Sequence, residues 1–399
     1  MTVSQDTPSF GGGETERLIR ETAREVADGY DDAYWRAVTG PDKRDPAEFW
    51  QECADAGFLG TTIPQEYGGE GLGITELSAI VEELTRHGCF GSEMLFVVNV
   101  VFGAVTLAEH GSEEQKREYL PALADGDLKF CMALTEPNAG HNAPNMDTYA
   151  EETDAGYEIT GSKQWISGAD RADRMLLVAR TTPLADVEKR TSGITLFLAD
   201  PGDDAIELRE LDTGIPTPER QFELSLDGYE ADEEDIIGTK DMGLYQLFDT
   251  VNPERIVGAA GAVGTGYAAL ERAADYARER EVFGQPIGAH QAIQHPIADS
   301  YSKLEAANML VRKSAWMMDA DENRKTVAEL SNMAKLRASE AAHEATDVAL
   351  QVHGGNGFSK EYGVIEMWKG TRLSRVAPGS TEMMRNHIAE HTLDLPRSY

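Results

Sequence analysis

FCMALT (residues 130–135), YEIT (157–160), QWIS (164–167), RMLLVAR (174–180), GITLFLA (193–199) and QFELSL (221–226) are the runs whose reading decides the fold. Each is short and rich in β-branched, aromatic or aliphatic side chains. Turn-forming clusters such as DAGY, GADRAD and DPGDD separate them. That combination predicts the strands of a compact β domain, because such side chains pack well on a pleated surface. No strongly helical stretch interrupts residues 127–240.

Outward from this block the periodicity changes. Residues 14–124 read as helices, with Asp45 and Pro46 as an N-cap and first helical position and Gly57 as a stop. Ser112 with Glu113 and Gln115 opens a further helix, closed before Pro121 and Asp125-Gly126. TTIPQEYGGEGLG (61–73) fits neither period and reads as a Gly-rich loop. The most apolar run, MLFVVNVVFGAVTLA (94–108), falls short of the ~20 residues that span a bilayer and reads as a buried core helix. Past residue 241 helical spacing returns over 255–280, 289–319 and 323–352, and HGGNGF (353–358) follows as a turn. The order predicts an α+β chain: an N-terminal helical domain (1–126), a middle β domain (127–240) and a C-terminal helical domain (241–399).

The 399 residues carry 70 Asp and Glu against 36 Lys and Arg, a net charge of −34. Such acidity excludes nucleic-acid binding by phosphate neutralisation and disfavours anionic membrane surfaces. Only 12 of the basic residues are Lys, which fits a cytosolic protein of a salt-rich cell, an ordinary acidic enzyme being the plainer alternative. The opening MTVSQDTPSFGGGETE has neither the basic nor the apolar part of a signal peptide. Cys53, Cys89 and Cys131 form no metal or redox motif and suit a reducing compartment. A cytoplasmic protein with no metal and no membrane insertion is therefore expected. The charge is unevenly shared: −15 over 1–126, −15 over 127–240, but −4 over 241–399. The last value fits a subunit interface or a region holding anionic ligands, or simply helices with i,i+4 ion pairs.

Gly261-Ala-Val-Gly264-Thr-Gly266 looks superficially like a nucleotide loop, but no strand precedes it. Small residues permitting close helix packing are the better reading. The informative strings come as a set in chain order: ALTEPNAG (133–140), ITGSKQWIS (159–167), EREVFGQPI (279–287) with His290-Gln291, QVHGGNGF (351–358) and PGSTE (378–382). Together they resemble the acyl-CoA dehydrogenase family over essentially the whole chain.

The resemblance implies a homotetramer with a C-terminal four-helix bundle. It also implies FAD held between the β and C-terminal domains and a neighbouring subunit. Leu134, Thr135 and Gly140 would then face the flavin, with Trp165 and Ile166 beside its ring and Ser167 near N5. Arg280, Phe283, Gln291, Gln351, Gly354 and Gly355 would hold the pyrophosphate and adenosine, partly across the subunit boundary, completed by Ser380 and Glu382. Partial burial of Arg280 would suit a diphosphate's bidentate geometry.

Family chemistry is α,β-dehydrogenation of an acyl-CoA thioester: a carboxylate takes the α-proton while a β-hydride moves to the flavin. Most members carry that carboxylate in a Tyr-Glu-Gly-Thr string, where this chain has Ala377-Pro378-Gly379-Ser380. Proline can supply neither the base nor a backbone N–H for the thioester oxygen, so Gly379 N–H is one candidate substitute. A minority, including the isovaleryl-CoA and long-chain enzymes, takes its base from the helix upstream, where Asn252-Pro253-Glu254-Arg255 stands. Glu254 is the expected base, with Asn252 and Arg255 on the substrate side, and Pro253 suggests a first helical turn. Ala377 in place of tyrosine favours a branched or otherwise bulky acyl group. His141 replaces the family's serine and reads equally as a phosphate contact or a solvent-exposed loop residue. An electron-transferring flavoprotein is the implied acceptor. A flavin oxidase or monooxygenase on the same fold, and a degenerate FAD-binding subunit, remain as alternatives.

Overall fold

The computed structural model describes residues 13–320 and 323–398. The leader reading of residues 1–12 lies outside them. Upstream of the β domain run α1 (Glu14–Asp28), α2 (Asp32–Thr39), α3 (Ala47–Asp55), α4 (Ile74–Arg86), α5 (Glu93–Leu95), α6 (Thr106–His110) and α7 (Glu113–Ala124). The stretch Phe96–Val105 joins α5 to α6 as π-helix. The resulting apolar rod passes the length and composition test for a membrane span, yet is mostly buried inside the molecule. Pro46 is the N-cap of α3 rather than its first residue. Ser112 does cap α7, accepting from Gln115 N while the Gln115 side chain returns to Ser112 N. The helix runs through Pro121 rather than stopping before it, and ends at Ala124, directly before Asp125-Gly126. One lost N–H is outweighed there by burial of Leu120, Leu123 and Ala124.

The middle domain is a sheet of β1 (Phe130–Ala133), β2 (Tyr149–Thr153), β3 (Gly156–Ser167), β4 (Arg174–Arg180), β5 (Ile194–Ala199), β6 (Ile206–Leu211), β7 (Gln221–Ala231) and β8 (Ile236–Ile237). Strand order is β6-β7-β3-β2-β4-β5-β8, with β1 pairing β4 in parallel. YEIT and QWIS are one strand, not two. β3 carries them past two register shifts against β7, between Ile159 and Gly161 and between Gln164 and Ile166.

Downstream come α8 (Gly243–Glu279), a hairpin of β9 (Glu281–Val282) and β10 (Gln285–Pro286), then α9 (Gln291–Asp319), α10 (Arg324–His353), α11 (Val364–Leu373) and α12 (Thr381–His387). α8 begins well before the expected start near residue 255, because Leu244 and Leu247 are buried in the core that includes Leu196 and Ile237 of the sheet. Pro253 therefore lies inside the helix, not in its first turn. The positive helix terminus, whose influence fades within one turn, cannot act on Glu254.

The two helical domains share a single core, in which Leu77, Val81 and Leu84 of α4 cluster with Ile256, Val263 and Leu270 of α8. The Gly261–Gly266 run makes that contact close. A Cβ on Gly261 would stand 2.6 Å from Glu93 Cβ, and one on Gly264 would collide with Thr85 Oγ1 and the Glu82 carbonyl.

Candidate active site

The loop after β1 is fixed by a buried ion pair. Glu136 and Lys163 meet at 2.8 Å, and Lys163 Nζ also donates to the Leu134 carbonyl at 3.2 Å. The Glu136 carboxylate further accepts from the amides of Asp147 and Thr148. Gln164 N then donates to Thr135 O at 2.8 Å, which sets Leu134 and Thr135 beside the end of β3. There the second register shift puts Trp165 in a left-handed backbone (φ 63°) with half its surface exposed. A bulge of this kind re-aims a side chain, and a tryptophan held at positive φ needs the surrounding structure to maintain it. Ile166 is buried behind it, while Ser167 Oγ bonds with the Gln221 side chain at 2.9 Å.

Across from the sheet, the C-terminal domain presents a cluster of buried charge. Glu254 is 2 % exposed, and its Oε1 has no hydrogen-bond partner. Burial raises its pKa above the carboxylate range, opposed first by Lys335 and then by Arg255. Lys335, also 2 % exposed, donates to the Ala377 carbonyl at 3.4 Å. Burial lowers its own pKa, opposed by Glu254 and Glu93. Asn252 Oδ1 accepts from Arg255 at 3.3 Å and from Ser331 at 3.1 Å, which orients the turn carrying Glu254.

The loop at 377–380 joins the two halves. His141 is a solvent-exposed loop residue, the second of its two readings, and its Nε2 also accepts from Ser380 N at 3.2 Å, bridging the β domain to the N-cap of α12. Gly379 N makes no hydrogen bond among the described residues and remains free to donate. Glu382 lies exposed in the first turn of α12.

The remaining candidates lie elsewhere. Arg280 ends α8, Gln291 opens α9, and Gln351 with Gly354 and Gly355 ends α10, so antiparallel order gathers them at one end of the bundle. Arg280 is exposed in the single chain, contrary to the partial burial expected, and has no polar partner among the described residues. Phe283 is 94 % exposed at positive φ. Along α8, Glu254 and Arg280 are separated by about 39 Å at 1.5 Å per residue. No one cofactor touches both in one chain.

Sequence reasoning missed Lys335, Glu93, Gln221 and the Glu136–Lys163 pair. A lysine among Ala334, Ala338, Ala341 and Ala342 on a buried helix face was the available signal for Lys335. The carboxyl of Glu219 also went unread. Both its oxygens are unpaired behind Gly168, and burial pushes it up to about 7.

Three family models match along the chain: the acyl-CoA dehydrogenase N-terminal domain over residues 13–127, the middle domain over 131–228 and the C-terminal domain over 241–393. The chain belongs to the acyl-CoA dehydrogenase family. It is 40% identical to acyl-CoA dehydrogenase FadE12 of Mycobacterium tuberculosis over 353 residues, 88% of this chain and 89% of that protein. Isovaleryl-CoA dehydrogenase of Oryza sativa is 32% identical over 343 residues, 84% of this chain and 80% of that one. The solved glutaryl-coenzyme A dehydrogenase–glutaryl-CoA complex superposes with a TM-score of 0.91 at 28% identity, covering 98% of both chains. This acyl-CoA dehydrogenase-family chain is an FAD-dependent oxidoreductase acting on an acyl-CoA-like substrate. Its residues fit the cofactor: Gly140, Gly354 and Gly355 face open space, Arg280 offers an unpaired guanidinium, and Trp165 is turned outward beside Thr135.

Proposed function

We propose that the protein oxidises a branched or otherwise bulky acyl-CoA to its trans-2-enoyl thioester with Glu254 as the base. Electrons would pass on to an electron-transferring flavoprotein. The observation that carries this reading is Glu254 itself: a buried carboxylate on α8 with an unpaired oxygen, beside a loop whose usual glutamate is Pro378. An orphaned buried carboxylate is costly unless a ligand uses it. Glu254 takes the α-proton, and Gly379 N–H is the donor available to the thioester oxygen where Pro378 has none. FAD, when bound, accepts the β-hydride. Thr135, Trp165 and Ser167 position the flavin, while Ala377 leaves room for a branched chain. The 32% identity to an isovaleryl-CoA dehydrogenase is in keeping with a branched substrate.

The separation of Arg280 from Glu254 supports a shared site: the pyrophosphate-holding end of one subunit completes the cofactor site of its neighbour in a homotetramer. Composition supports a cytoplasmic enzyme of a salt-rich cell.

An anaerobic titration of the FAD-loaded protein with isovaleryl-CoA, butyryl-CoA and longer thioesters tests the reading. Flavin bleaching is expected, fastest with branched chains, and Glu254→Gln is expected to slow it by about 10²–10⁴-fold. Full-rate bleaching by Glu254→Gln would remove Glu254 as the base. Rapid oxygen consumption by the reduced enzyme would favour an oxidase. No bleaching with any thioester would leave a degenerate FAD-binding subunit.

A further inference from the structure

Three charges gather against α8: buried Glu254, buried Lys335 and half-buried Glu93. Glu93 opens α5, packs its side chain against Gly261 of α8 and leaves Oε2 unpaired. Lys335 comes from α10, and Glu254 stands two helical turns before Gly261. A Cβ placed on Gly258 would meet Lys335 Nζ at 3.5 Å and Glu254 Oε1 at 3.6 Å. Both charged tips therefore converge on the Gly258 face of α8 without closing into a direct ion pair. Among the described residues the Lys335 ammonium makes one hydrogen bond, to the carbonyl of Ala377, two residues before the free N–H of Gly379.

We propose that Lys335 is the positioning residue of this site: its ammonium favours the ionised form of the buried Glu254 and anchors the loop that presents Gly379 N–H. This rests on Glu254 being the base. The charge balance explains why a lysine is needed. Among the described residues, the cations that oppose the burial of Glu254 are Lys335 from α10 and Arg255 from its own helix. Arg255 is already engaged with Asn252. On the far side Glu93 draws on the same ammonium, with Glu219 behind it, while His387 of α12 lies near Arg255. Lys335 thus supplies the main opposing charge, and a short gap rather than contact leaves the Glu254 oxygen free to reach a proton. A tight ion pair would bind that oxygen and weaken it as a base.

The test pairs two readouts across pH. The protonated-carboxyl infrared band of the FAD-loaded protein, assigned by its loss in Glu254→Gln, titrates the base directly. Anaerobic bleaching by isovaleryl-CoA titrates its use. A base works ionised, so both midpoints are expected to move to higher pH in Lys335→Met and Lys335→Gln and to return toward the starting value in Lys335→Arg. Should Lys335→Met fail to fold, the polar Lys335→Gln variant decides alone. Unmoved midpoints with a uniformly slower rate would mean a purely structural lysine and would overturn the proposal. Retained bleaching in Glu254→Gln would instead sink the assignment of the base, while the infrared titration still reports whether Lys335 governs its charge.

Discussion

At the scale of single residues, the site is built by charges removed from water and made to answer one another. Glu136 is the clearest structural case. Burial opposes its ionisation, but Lys163, then the Thr148 and Asp147 amides, more than offset this, so it titrates below the usual range. A depressed carboxyl contributes stability that is fully present above the unfolded value, near 4.3, and is lost as pH falls through the folded one. Glu136→Gln should therefore lower the Tm at neutral pH, by the equivalent of about 3–5 kcal/mol for a broken buried pair. It should also flatten the fall of Tm with acidification relative to the wild type. Scanning calorimetry across the acid range checks both. A variant whose Tm falls as steeply as the parent's would deny Glu136 that role. Because the same pair fixes Leu134 and Thr135 against β3, the variant should also hold FAD more weakly.

At the scale of elements, helix packing is where composition and structure meet most directly. Gly264→Val puts a side chain where Thr85 and the Glu82 carbonyl already sit, so α4 and α8 must separate. Overpacking of this kind costs about 1–3 kcal/mol, or more where backbone cannot move, and a fall in Tm with FAD affinity largely kept is the expected result. An unchanged Tm would mean that the helices part freely. Much of this architecture was legible in the chain: strand runs, helical spacing and the Gly-rich run each follow from local patterning. Three features were not. β2 and β6 carry the polar sequences YAEET and IELREL on partly exposed strands, and their pairing depends on neighbours distant in sequence. The early start of α8 is decided by burial of Leu244 and Leu247, which outweighs the local break offered by Pro253. Lys335 acquires its role only when α10 brings it to Gly258. Glu254, Trp165 and Ser167 could be named as candidates because their strings are contiguous; the ammonium facing Glu254 could not.

For the whole molecule, the distribution of charge and exposed apolar surface bears on how many chains make one site. Residues 241–399 hold only −4 of the −34. Phe283, Val282 and Phe358 stand exposed there, near the glycines and Arg280 at the far end of the bundle. Low charge and exposed aromatics suit a surface covered by another copy, where self-repulsion is least. If Arg280 serves a neighbour's FAD, two disabled variants should repair each other. A Glu254→Gln subunit keeps a good Arg280, and an Arg280→Ala subunit keeps a good Glu254. Paired in one oligomer they assemble one site with neither residue intact and one with both. Co-expression with two different tags, followed by tandem purification of mixed oligomers, should recover a substantial fraction of wild-type bleaching from parents that each show little. Mixed oligomers no more active than their parents would mean that one chain supplies both residues to a site, which their separation of about 39 Å along α8 makes hard to build.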